Sequence, residues 1–323
     1  MPIGDKSDFV IYQVEMQSGT TETLEQNAAE IESGANSTIR IISLNQKGEF
    51  EKNAFFKNVT DLVSRRDPTD TTAATSKKLE QSETAAVKVN GTIGPVDNTL
   101  DSFKKIGEDP AVMSFVLGQQ FGVGIALDYV NTGILAAATA MRTEASMVHS
   151  DLTTTLNAEV LNDGLRKMGD RASRVRALVM HSTGFRNLIG NQILEKVTGI
   201  SDVVIYGGSP GSLGRPVYVT DSEALIITDG VSAGVDSYIT LGLTEDAIVM
   251  NQSEEQTVVT DLVTGLNNLV LRLQGEYAFT VAVKGFAYTG AAAPDDSVLG
   301  NGANWTYTYA DNKAGPGVAI ITA

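Results

Sequence analysis

Apolar residues crowd into one stretch of the chain. From Ala111 to Met141 the residues are mostly Ala, Val, Ile, Leu and Gly, and the only charge among them is Asp128. Asp109-Pro110 is a helix start: a capping carboxylate, then a residue whose missing N–H costs nothing at the first helical position. Arg142 sits where a cation suits the negative end of the helix dipole. The pattern predicts a helix over 109–142, about 45–50 Å long at 1.5 Å per residue, a spine against which the other pieces are laid. A bilayer helix needs only about 20 apolar residues. Here Gln119, Gln120, Asp128 and Asn131 recur inside the run, Gly118, Gly122, Gly124 and Gly133 thin it, and no second run of similar length exists. Lipid would bury those polar groups at a cost, so no membrane partner is expected.

Ahead of the spine the pattern is fragmentary. Phe9–Tyr12 is a short strand candidate, Gln17–Glu32 is polar and acidic, and Ser37–Leu44 reads as a strand. Such a segment cannot bury a core alone; 1–45 reads as an arm that needs something to lie on. Residues 46–95 read as two extended limbs joined by a polar tip. Phe50, Phe55 and Phe56 mark the first limb, Glu83–Asn90 alternates as the second, and Arg65, Arg66, Lys77 and Lys78 stand between them. A fifty-residue projection in a compact domain implies a purpose, and its open edges would serve association. Asp97–Ile106 is a short helix candidate.

Beyond the spine, elements alternate. Leu156–Met168 and Gly184–Val197 have helical apolar spacing. Arg176–Met180, Val203–Tyr206, Pro216–Thr220, Ala224–Thr228 and Tyr238–Leu243 are strand-like between Gly, Ser and Asp turns. Glu254–Leu262 and Leu269–Tyr288 read as long antiparallel strands. The tail carries the only tryptophan, Trp305, a turn at Asp311–Gly317 and a last strand, Val318–Thr322. The fold class is α+β, with room for two lobes in 323 residues.

Composition narrows the chemistry. The chain has no cysteine, hence no disulfide, thiolate metal site or Cys nucleophile. No secretory leader is expected. Its net charge of −15 argues against tight DNA binding by counterion release. Gly207-Gly208-Ser209-Pro210-Gly211 spells a nucleophile elbow, but Pro210 has no N–H to offer an oxyanion. A return strand follows it where an elbow needs a helix, and His149 and His181 both precede it. A Gly-rich turn between strands is the better reading. Two histidines with no carboxylate at ligand spacing make a His-based metal site a poor reading, and His181 reads as a hydrogen-bonded residue at a strand–helix junction. Asp221 with Glu223, Glu254-Glu255 and Asp295-Asp296 read as solvated acids. No catalytic, cofactor or metal residue emerges. Arg171, Arg174 and Arg176 form the one basic cluster outside the hairpin; an acidic contact on a neighbouring subunit suits them as well as a nucleic acid does.

The order of parts resembles the major capsid protein of tailed bacteriophages, the fold named for phage HK97. The phrases Gly214-Arg215-Pro216-Val217-Tyr218-Val219-Thr220-Asp221, Gly275-Glu276-Tyr277, Val283–Tyr288 and the tail around Asn304-Trp305 and Lys313 are similar to that family as well. The resemblance implies an N-terminal arm at 1–45 and an extended loop at 46–95. It implies a peripheral domain from 96–150 and 251–292 on the spine, and an axial domain from 151–250 and 293–323. It further implies hexamers and pentamers closing into an icosahedral shell around double-stranded DNA, assembled in the host cytoplasm, with portal, scaffold or decoration proteins as partners. No long scaffolding region precedes the arm, so a scaffold or maturation protease is expected to be a separate product or absent. Some members crosslink a loop lysine to a neighbour; Lys77 and Lys78 lie in such a loop, but no crosslink is read from them. Phe55, Phe56, Arg65, Arg66, Lys77, Lys78, Arg171 and Arg174 are the candidate intersubunit contacts. An encapsulin-like compartment shell and a soluble α+β enzyme are the alternatives.

Overall fold

The computed structural model describes residues 6–34, 37–44, 48–59, 63, 65, 67–69, 71–73, 76–99, 110–198, 213–264, 267–268 and 270–323. The elements in chain order begin with α1 (Lys6–Gly34), β1 (Ile39–Ile42), β2 (Phe50–Phe56), β3 (Gln81–Thr99) and the spine α2 (Pro110–Thr143). There follow β4 (Val148–Asp151), α3 (Ala158–Arg166), β5 (Val175–His181), α4 (Ser182–Thr198), β6 (Val217–Thr220), β7 (Ile226–Ser232), β8 (Val235–Thr244) and β9 (Ile248–Val263). The chain closes with β10 (Val270–Val283), β11 (Phe286–Tyr288), α5 (Asp296–Leu299), β12 (Trp305–Tyr307) and β13 (Gly317–Thr322).

The spine is one helix of 34 residues with Pro110 first and Arg142 in its last turn. Ser114–Thr143 is long and apolar enough to cross a membrane, yet most of it is buried in the protein. Ile125, Ala126, Tyr129, Val130, Ile134 and Met141 are all buried; full burial of a large apolar side chain is worth about 1.5–3 kcal/mol. Two glycines of the spine, Gly118 and Gly122, are docking notches. A Cβ on Gly118 would lie 2.1 Å from the Met16 carbonyl oxygen, and one on Gly122 would lie 2.8 Å from that of Thr20. On the facing helix, a Cβ on Gly19 would lie 2.6 Å from the Phe115 carbonyl. The two backbones therefore touch, and the Thr20 hydroxyl sits between the Met16 and Gly118 carbonyls at 2.9 and 3.0 Å.

That contact corrects the first strand expected. Phe9–Tyr12 lies inside α1, not in a strand. A run of four aromatic and β-branched residues favours a strand locally. The buried series Met16, Thr20, Leu24 repeats every four residues, however, and seats one continuous helix on the spine. The arm does lie on something, but as a helix.

Two sheets frame the spine. The first has seven strands in the order β1-β9-β10-β3-β11-β12, with β2 on β3; β1 runs parallel to β9 and β11 to β3, the rest antiparallel. The second has six strands in the order β4-β13-β8-β5-β6, with β7 on β8. One apolar core, from Val87 and Phe279 through the spine to Leu241 and Ala319, joins both sheets. A second core, with Leu161, Leu178 and Ile320, lies beneath α3.

Other expectations change in detail. Asp97–Thr99 belongs to β3, not to a helix, because Arg272 of β10 grips Asp97 through two bonds of 2.7 Å in register; residues 100–109 lie outside the described part. The long run Leu269–Tyr288 breaks at Lys284-Gly285, where Gly285 has φ +76°. Glu223–Leu225 forms a 3-10 turn before β7 rather than the start of a strand. Asp295 and Asp296 are exposed, as expected, and Asp295 also caps α5 by accepting from the Val298 N–H at 2.8 Å. Val203–Tyr206 and Gly207–Gly211 lie outside the described residues. The sheets also split the tail. β12 joins the first sheet through β11 while β13 joins the second, although the sequence reading groups all of 293–323 in one lobe. Trp305 decides this: it is buried, donates to the Leu299 carbonyl at 2.9 Å and packs edge-on against Tyr288 of β11.

Candidate assembly interface

β2 and β3 pair antiparallel from Phe50↔Val87 to Phe56↔Gln81, which makes 57–80 the tip of a long hairpin. β2 is bedded at two rings, one near each end. Phe50 stacks on Tyr288 with centroids 6.5 Å apart, and Phe55 meets Tyr309 edge-on at 5.1 Å. Glu51, Lys52, Asn53, Ala54 and Phe56 are exposed, with Lys52 and Glu83 paired across the hairpin at 2.7 Å. The exposed pair is worth about 0.2–1 kcal/mol at most. At the tip, Phe56 is 59% exposed, Leu79 58% and Val63 93%.

The candidate contacts therefore separate into groups. Phe55 is an internal anchor on the C-terminal tail, while Phe56, one residue on, faces out. Arg65, Lys77 and Lys78 are exposed near the tip; Arg66 lies outside the described residues. Arg171 belongs to the 3-10 segment Gly169–Arg174 and pairs with Asp311 at 3.7 Å, so part of its charge is met within the chain. Arg174 is exposed, and Arg176 pairs with Glu245 at 2.9 Å. Phe55 and Arg171 thus converge on one tail segment, Tyr309–Asp311. The sequence gives no sign of that meeting, because the partners are over a hundred residues apart.

A lock behind the hairpin also escapes the sequence pattern. Asp128, the only acid of the spine, accepts from the Tyr277 hydroxyl at 2.6 Å. The ring of Tyr277 crosses Gly91 of β3, where a Cβ would lie 2.1 Å from its Cζ. Burial holds the Asp128 carboxyl above the usual carboxylate range, against the pull of the Tyr277 hydroxyl. The Tyr277 phenol is pushed up by burial and by its bond to Asp128. The isolated acid thus ties the spine to the strand beside the hairpin. His181 ends β5, as expected, with Nδ1 accepting from the Thr183 N–H at 3.2 Å where α4 begins.

These parts are an arm on a spine, a projecting hairpin and two sheets, and the comparisons with known proteins agree with them. A sequence profile of the Gp13-like family, described as major capsid protein 13-like, matches residues 8–319. The chain belongs to that family. It is a phage coat protein, a component of the virion, and not an enzyme. No curated protein matches it by sequence. Among solved structures, the coat protein is similar to the chain in the capsid asymmetric unit of cyanophage Pam1, at 12% identity and TM-score 0.52, with 88% of each chain covered. It is similar to the acid-stable capsid of Helicobacter pylori bacteriophage KHP30, at 10% identity and TM-score 0.52, covering 90% of this chain and 89% of that one. A third likeness is to Microbacterium phage Oxtober96, at 10% identity and TM-score 0.50, with 90% of each chain covered. At these identities the likeness is one of fold, and the fold is the HK97-like α+β capsid fold. Neither the encapsulin-like shell nor the soluble enzyme is favoured.

Proposed function

We propose that this coat protein assembles as hexamers and pentamers, which close into an icosahedral shell enclosing the double-stranded DNA of a tailed phage. The hairpin carries the reading. Beyond Phe55, whose ring still meets Tyr309 of its own chain, it carries exposed apolar and charged residues, Phe56, Leu79, Lys77 and Lys78 among them. An isolated two-stranded ribbon is marginal in water, and a permanent shell needs interfaces larger than one lobe offers. A tip laid on a neighbouring copy meets both needs. In this reading the spine and first sheet form the peripheral domain, and the second sheet forms the axial domain near the capsomer centre. The net charge of −15 suits a wall that encloses DNA without gripping it. Assembly takes place in the host cytoplasm, with portal and scaffold or decoration proteins as further partners.

Negative-stain microscopy of the expressed chain tests the proposal. Closed shells or flat capsomer arrays are expected, and dispersed monomers or dimers would overturn it. A chain in which a short turn replaces 57–80 keeps the buried Val87 and Val89 of β3 and should fold, as judged by circular dichroism, yet stay unassembled. An unchanged assembly state would remove the hairpin from its role.

A further inference from the structure

The hairpin tip and the arm helix carry opposite charge. α1 has six carboxylates and one lysine, whereas 57–78 has five basic residues and three acids, a basic exception in an acidic chain. Lys57, Lys77 and Lys78 line a shallow recess with Asn58, Val59, Glu80 and, from the C-terminal tail, Ala310. α1 bears a second recess, lined by Gln17, Ser18, Thr21, Glu22 and Glu25, in which the two glutamates are exposed. Among the described residues, no opposite charge lies within ion-pair distance of Lys57, Lys78, Glu22 or Glu25. The acidic recess is also held still. α1 is notched into the spine, and Gln256 of β9 fixes its side by donating to the Thr21 hydroxyl at 2.7 Å and accepting from the Gln17 amide at 3.3 Å. A receptor that is already ordered loses little freedom on binding.

We propose that the basic hairpin tip of one copy seats on the acidic face of α1 in a second copy. Small residues, Ser18 and Thr21, floor the acidic recess, so the long stems of Lys57 and Lys78 can lie over it with their ammonium groups beside Glu22 and Glu25. Each exposed pair is weak. Together they select the partner and the register of docking, while the apolar Phe56 and Leu79 beside them exclude water. The pairing rests on the self-assembly proposed above, and it is screened as salt shortens the Debye length to about 3 Å at 1 M.

Charge reversal on each side tests it. One variant carries Lys57→Glu, Lys77→Glu and Lys78→Glu; another carries Glu22→Lys and Glu25→Lys; a third carries all five. Assembly is read by light scattering and microscopy, and folding by circular dichroism. Each half-reversed chain should lose at least tenfold in assembly yield, and the five-fold chain should recover most of it. If a half-reversed chain that folds assembles at the normal yield, or the folded five-fold chain fails to recover, the seat on α1 is overturned while self-assembly stands. If the unaltered chain forms no assembly, the wider reading falls instead. Lys→Gln and Glu→Gln versions of the same sets repeat the test should reversal impair folding; there each half should weaken assembly, and an unchanged yield from both would overturn the seat.

Discussion

Asp128 and Tyr277 show how single positions act in this protein. The carboxylate was visible as the one acid of the spine, but its partner lies 149 residues away and only the fold brings them together. Because the folded carboxyl titrates above its unfolded value, its contribution to stability is fully present below the unfolded value, near 3.8. It is lost as pH rises through the raised folded value. Urea unfolding across the acid range should therefore show this term fading as pH rises through the folded value, and Asp128→Asn should flatten that part of the curve. Tyr277→Phe should cost about 1–3 kcal/mol, since a bond to a charged group is lost and the carboxylate keeps its burial. Gly91→Val should cost at least as much, because the Tyr277 ring fills the space its side chain would need.

At the scale of elements, the docking of α1 on α2 is the contact most exposed to a single change. Gly118→Leu places a side chain where the Met16 carbonyl already lies. Overpacking of this kind typically costs about 1–3 kcal/mol, and here the lighter partner, α1, should give way. The variant should keep its spine and sheets, shown by near-normal circular dichroism, while limited proteolysis cuts within 6–34 faster than in the unaltered protein. Gly124→Ala is the internal control: its Cβ meets nothing within 4 Å, and its proteolysis should not change. The hairpin is the opposite case. Its limbs and polar tip were legible from alternation and composition, because a two-stranded ribbon is specified locally. The anchoring of Phe55 on Tyr309, and the outward turn of Phe56, were not.

For the whole molecule, the decisive feature is a core that runs from the first sheet through the spine into the second. Lobes that share a core should unfold together. Trp305 belongs to the first sheet and is 4% exposed, between Tyr288 and the end of α5. As the only tryptophan, its emission should shift at the same denaturant concentration as the far-ultraviolet circular dichroism of the unassembled chain. Separate midpoints would show that the two sheets are independent folding units.

By itself the sequence determined the features written in local pattern: the apolar spine from Pro110 to Arg142, the paired limbs and polar tip of the hairpin, and the alternating helices and strands beyond. Their order also resembled a phage coat protein, and the family match bears that out. Tertiary structure decided whatever depends on what lies opposite. It made Phe9–Tyr12 helical, turned Gly118 and Gly122 of the spine into a seat for α1, and drew Asp97–Thr99 into a strand through Arg272. It also divided the tail between two sheets. The physical reason is common to all four: periodicity reports which face of an element is apolar, while close backbone approach, cross-strand pairing and buried charge are settled by partners far along the chain.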